Sequence, residues 1–114
     1  MLIWQRAKDL ALTVYKLSGV GDLNRDFGLR DQMRRSSVSI ASNIAEGDER
    51  SSDKDSVRFF FIAKGSLAEL RTQIEIAHEI GYLSAEHYDD IEEKCQLLGG
   101  MIGKLIEVRQ RAKG

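Results

Sequence analysis

Proline is absent from the 114 residues. Because proline is the main breaker of helix interiors, no position rules out a long helix. The single cysteine, Cys95, excludes an internal disulfide and fits a reducing compartment. Neither sign of charge dominates. The 17 basic and 18 acidic residues give a formal charge of −1, which leaves no global pull toward polyanions or membranes. A general nucleic-acid coat protein would be far more basic. No apolar run approaches the length of a membrane span. Met1-Leu2-Ile3-Trp4 passes at once into Gln5, Arg6 and Lys8, so no signal core forms there. The expectation is a cytoplasmic chain with no membrane association. It should form a single domain over residues 1–114, long enough to bury a core without staples.

What is present is helical periodicity, in four segments at about 3–17, 25–46, 53–80 and 85–112. In the first, Trp4, Ala7, Ala11 and Val14 recur with Ile3, Leu10 and Leu17 beside them. Ser18-Gly19-Val20-Gly21-Asp22 then reads as a loop. The second opens at Asn24 or Asp26, both good N-caps, and its seam is Leu29, Met33, Ser36, Ile40, Asn43 and Gly47. In the third, Phe60, Ala63, Leu67, Leu70, Ile74 and Ala77 make a sustained heptad seam. Tyr88, Ile91, Cys95, Leu98, Ile102 and Leu105 repeat that spacing in the fourth. Ser52 with Asp55 has capping-box spacing, Ser84 caps the fourth helix, and Gly81-Tyr82 suits a left-handed C-cap. Short connections imply antiparallel neighbours. The fold class is all-α, an antiparallel up-and-down four-helix bundle.

Catalytic constellations are thin. Glu75 and His78 form one Glu-x-x-His, but di-iron bundles need that motif on two helices and a carboxylate from each of two more. The other histidine, His87, has Ser84 at the matching position, so no metal and no cofactor is expected. Cys95 lies on a core seam, where thiols are inert packing. Gly99, Gly100 and Gly103 follow no strand and make no phosphate loop; close helix packing accounts for them. No catalytic residue and no small-molecule substrate is expected.

Two polar features remain. Arg35, Ser39, Asn43 and Glu46 on the second helix, with Ser66 and Glu69 on the third, are expected to form a structural polar layer centred on an Arg35–Glu69 pair. Such a layer would fix helix register. Gly65 beside it costs about 1 kcal/mol against alanine in a helix interior, a cost that close backbone or subunit approach would justify. Separately, Arg25, Arg30, Arg34 and Arg35 cluster at the start of the second helix, and Lys104, Arg109, Arg111 and Lys113 at the end of the fourth. Arg30, Arg34, Lys104, Arg109, Arg111 and Lys113 are the candidate nucleic-acid contacts. Up-and-down topology also sets each cluster near acids: Glu86, Asp89, Asp90, Glu92 and Glu93 at one end, and Glu46, Asp48, Glu49, Asp53 and Asp55 at the other. Mutual neutralisation is the simpler account. Phe59, Phe60, Phe61 and Ile62 run consecutively, more apolar surface than one core face needs. Phe59, Phe61 and Ile62 are therefore candidates for an oligomer interface.

The run from Phe27 to Gly47, through Arg34-Arg35-Ser36-Ser37-Val38-Ser39-Ile40-Ala41-Ser42-Asn43-Ile44-Ala45-Glu46, resembles the four helix bundle protein family. That family includes proteins encoded by intervening sequences in bacterial 23S ribosomal RNA genes. Phe59 with Ala63-Lys64-Gly65-Ser66-Leu67-Ala68-Glu69-Leu70 resembles its second signature. Trp4, Ala7 and Leu10 match its opening helix, and Ile80-Gly81-Tyr82-Leu83 its last turn. Members often carry proline in the loop before Phe27, where this chain has Gly19, Val20 and Gly21. The resemblance implies a ring-like homopentamer, similar to the accessory variability proteins of diversity-generating retroelements, which bind nucleic acid and a reverse transcriptase through basic surfaces. Being encoded inside an RNA gene is genomic location, not evidence of ribosome binding. The expected function is a non-enzymatic homo-oligomer binding RNA or DNA through basic patches of the ring. The alternative is an oligomeric scaffold or protein-interaction module without nucleic-acid binding.

Overall fold

The computed structural model describes residues 1–111. It contains α1 (Leu2–Ser18), α2 (Gly21–Arg25), α3 (Phe27–Asp48), α4 (Asp53–Ile80) and α5 (Ala85–Arg111). The four long helices are the expected bundle. Each of α1 and α4 packs on both α3 and α5, and the whole measures 49 × 21 × 19 Å. The reading of residues 18–22 as a plain loop is corrected by α2. Gly21 takes φ +63°, which turns the chain into this short helix. Leu23 then buries its side chain almost completely, and the Asp26 N–H closes the turn on the carbonyls of Asp22 and Leu23.

Caps fall where side chains can satisfy the free N–H groups of a first turn. Asp26 Oδ1 accepts from Leu29 N at 3.1 Å, Ser52 Oγ from Asp55 N at 3.2 Å, and Ser84 Oγ from His87 N at 3.1 Å. Gly81 ends α4 at φ +98°, with Tyr82 N donating to Ala77 O at 2.8 Å, a Schellman closure.

The α4 seam is buried at every expected position from Phe60 to Ala77. On α5 the seam holds from Ile91 through Cys95 and Leu98 to Ile102, then passes to Ile106, with Leu105 only partly buried. A straight helix drifts about 20° per heptad from a strict seven-residue repeat, so a stripe read in heptads slips by one position after two of them. On α1 the buried set is Ile3, Ala7, Leu10 and Val14; Trp4 lies on the flank. Gly47 near the end of α3 is needed for space. A Cβ there would stand 2.5 Å from Cε1 of the fully buried Phe60.

The polar layer between α3 and α4 keeps Ser39, Asn43 and Ser66 but not its expected centre. Ser36 Oγ donates to Gln32 O and meets Gln73 Oε1, each at 2.6 Å. Ser39 and Ser66 hydroxyls pair at 2.8 Å, and Asn43 Nδ2 donates to Ser39 O at 2.8 Å. Arg35 and Glu69 are both exposed, and among the described residues no ion pair joins them. Arg35 instead donates to Gln32 Oε1 at 2.5 Å. Glu46, also assigned to the layer, is exposed and pairs with Arg50. One residue is about 100° of helix rotation, and that rotation puts Ser36 rather than Arg35 against α4. The result avoids the several-kcal/mol desolvation that a buried ion pair demands.

Candidate nucleic-acid interface

The two basic clusters lie toward opposite ends of the bundle, and their side chains are engaged differently. At the α5 end, Arg109 sits between Asp48 at 3.9 Å and Asp53 at 3.6 Å. Its guanidinium carbon lies 5.7 Å from the Phe60 ring centroid. It clasps α5 to both sides of the α3–α4 connection. Arg111 pairs with Glu107 one turn back, and Lys104 lines an apolar groove. Lys113 lies outside the described residues. Of this cluster, Arg109 alone among the described residues pairs with the acids that the topology brings near it.

At the other end, the charges beside Arg30 and Arg34 are local ones. Arg25 pairs with Asp22 at 2.7 Å and Arg30 with Asp31 at 2.9 Å, rather than with the acids at the start of α5. Of those acids, Asp90 pairs with Lys94 at 3.1 Å and Glu92 with Arg71 of α4. The Glu92 hydrogen bond raises the Arg71 pKa further. Arg34 Nε donates to Ser18 Oγ at 2.9 Å, and its guanidinium carbon stands 4.6 Å from the Tyr15 ring centroid. Arg30 donates to Asn24 O at 3.0 Å and lies 4.7 Å over Phe27. Arg34 carries no carboxylate partner among the described residues, so its charge remains available to a phosphate.

The aromatic partners Tyr15 and Phe27, and Trp4 with Lys8 Nζ 4.8 Å from its ring, are not candidates on sequence grounds. Trp4 reads as a seam residue, and no spacing rule joins Tyr15 to Arg34. The discriminating signal was available in the Ile3-Ala7-Leu10-Val14 stripe, which leaves Trp4 and Tyr15 on its flank.

The apolar surface divides in two. A groove of about 610 Å³ beside α1 and α5 is lined by Ile3, Leu97, Gly100, Met101, Leu105 and Val108, together with Gln96 and Lys104. On α4, Phe61 and Ile62 are each 46% exposed, and Gly65 one turn on has nothing within 4 Å of where a Cβ would stand. Phe59 is partly buried under its own chain's Arg50 and Arg58, at 4.5 and 4.9 Å. Of the glycines assigned to close helix packing, only Gly99 has a neighbour, Leu67 Cδ2 at 3.4 Å; Gly100 and Gly103 face open space.

His78 stacks on Tyr88 at 4.2 Å with Nδ1 3.2 Å from Leu83 O, which accounts for its position at the end of α4. Cys95 is fully enclosed, and burial pushes its thiol up to about 12. No helix among the described residues is long and apolar enough to cross a membrane.

Comparison with curated proteins finds no match. Among solved structures, the crystal structure of a protein of unknown function from the S23 ribosomal protein family of Bacteroides thetaiotaomicron VPI-5482 is similar, with TM-score 0.83 and 21% identity. The match covers 91% of this chain and 97% of that one, and at that identity it establishes the fold. The family model described as 23S rRNA-intervening sequence protein matches residues 1–104. Bundle, signature runs and match agree over nearly the whole length, and the chain belongs to the 23S rRNA-intervening sequence protein family.

Proposed function

We propose that this protein is a non-enzymatic homo-oligomer whose copies join head to tail, and that the assembly binds RNA through the cations on the α1–α3 side. The observation that carries the reading is an apolar groove and an apolar ridge on different faces of one chain: the α1–α5 groove around Leu97 and Val108, and the α4 ridge of Phe61 and Ile62. Two unlike surfaces that fit each other generate a ring when the rotation closes. The helical glycines 65 and 100 support this, because nothing in their own chain lies where a Cβ would go. A neighbouring helix gives them a purpose. A ring also repeats Arg30 and Arg34 once per copy, which concentrates a positive potential that the near-neutral total conceals. A pentamer is the assembly expected from the family.

The test takes both halves. Phe61→Glu should reduce the mass seen by light scattering to that of a single chain; an unchanged mass removes the ridge from the interface. Labelled structured RNA should be retained at low salt and released as salt rises, because phosphate contacts displace counterions. Reversing Arg30 and Arg34 to glutamate should abolish that retention. A scaffold reading without nucleic acid is favoured by the pairing of Arg109 and Arg111 with carboxylates. Absence of RNA binding even at low salt would establish it.

A further inference from the structure

We propose that the α1–α3 side is a stacking surface for an unpaired RNA strand, with the Trp4 and Tyr15 rings as platforms for bases and their attendant cations as phosphate contacts. This rests on the RNA reading above and narrows it to one class of strand.

The two rings share one face of α1. They are eleven residues apart, which is close to three full turns and about 16 Å along the axis. Trp4 is 37% and Tyr15 46% exposed, so each keeps free aromatic surface on the flank of the stripe that supplies the core. Each also carries a cation: Lys8 Nζ stands 4.8 Å from the Trp4 ring and the Arg34 guanidinium 4.6 Å from Tyr15. Arg34 does not swing freely, because Nε is tied at 2.9 Å to the hydroxyl of the fully buried Ser18. One helical turn toward the start of α3, Arg30 repeats the arrangement over Phe27 at 4.7 Å. Aromatic face and positive charge therefore alternate along the long axis of the bundle.

A single strand needs that alternation. Its bases present open π-faces, which stack on aromatic rings and guanidinium planes, while its phosphates need cations between them. A duplex has its base faces already occupied and offers only backbone and groove edges. Between the two rings the same face of α1 carries Lys8 and Ala11, a cation and a small side chain with no acid. Acids lie toward the ends: Asp31 is held by Arg30, and Asp48 and Glu49 line the hollow beside Trp4.

Trp4 is the sole tryptophan, so its emission reports directly on this surface. The intact protein is titrated with a single-stranded oligouridylate and with a fully paired RNA duplex of equal length. The single strand should quench Trp4 emission and bind about tenfold more tightly than the duplex, the scale of one or two stacked bases. Tyr15→Ala should weaken the single strand about tenfold and leave the duplex unaffected, while Tyr15→Phe, which keeps the ring, should bind as the parent does. Circular dichroism confirms that each variant is folded. Binding of both probes with equal affinity and no quenching overturns the stacking proposal and leaves the RNA reading intact. Absence of binding to either probe at low salt overturns both.

Discussion

Cys95 shows how a single side chain couples the core to solution conditions. Its thiol is pushed up to about 12 from a reference of 9.0, mainly by burial and then by the neighbouring Glu92 charge. Below pH 9 the thiol is protonated whether the chain is folded or not. Above it the unfolded chain sheds the proton and the folded chain keeps it, so stability falls as pH rises. This one group contributes about 1.4 kcal/mol per pH unit up to its folded value. Urea unfolding of the parent and Cys95→Ala between about pH 8 and pH 10 should therefore give a steeper decline for the parent. Parallel declines would mean that the thiol ionises freely in the folded state. Ser56 is a second case. Its hydroxyl is fully buried and has no hydrogen-bond partner among the described residues. Ser56→Ala removes that unsatisfied group and should raise stability by about 1 kcal/mol, read as a higher urea midpoint with an unchanged slope; a lower midpoint would show that the hydroxyl is satisfied. Residue roles of this kind were the least legible part of the sequence. The polar layer was expected, and Ser39, Asn43 and Ser66 do belong to it. Its expected centre, Arg35 with Glu69, is exposed because a rotation of one residue decides which side chain faces the neighbouring helix, and apolar periodicity alone does not resolve that rotation.

The elements themselves were legible because their ends carry local chemistry. Ser52, Gly81 and Ser84 act through bonds spanning a few residues, so the sequence alone contains the whole interaction. Helix α2 was not legible. Gly19 and Gly21 favour a loop, and what holds the helix is the burial of Leu23 where α2 packs on α1 and α3. Asp26 joins both kinds of information. One carboxylate oxygen caps α3 at Leu29 N, and the other accepts from Tyr82 Oη at 3.0 Å, which ties the start of α3 to the turn after α4. That bond raises the Tyr82 pKa, because ionising the phenol would forfeit the hydrogen bond and set two negative charges together. Asp26→Ala loses both contacts and should cost about 2 kcal/mol, whereas Tyr82→Phe loses only one and should cost less. Equal losses in thermal unfolding would mean that the cap contributes nothing.

At the scale of the whole molecule, the fold class and the long helices, though not the short α2, follow from seams that share a period, which makes them legible in the sequence. The interface could not be read that way, since the same apolar residues serve a core or a neighbour equally well. Phe60 is core, Phe61 and Ile62 are half exposed, and Phe59 lies under two arginines. Glycine offers a cleaner test. In an isolated chain, Gly65→Ala and Gly100→Ala should each stabilise by about 1 kcal/mol, because nothing obstructs the methyl group. If the helices of a neighbouring copy rely on those gaps, the double variant should gain helix stability while its assembled mass falls. A rise in stability with unchanged mass would place the subunit contact elsewhere. The Arg109 clasp has a further consequence, for the order in which the chain comes apart. By gripping Asp48 and Asp53, it makes the last turns of α5 depend on charge attraction rather than on burial alone. Ionic strength screens such attraction, so amide hydrogens near Arg109 should exchange with deuterated solvent faster as salt is added, while those around Ile91 keep their protection. The bundle would thus loosen from one end, at a rate set by dissolved ions.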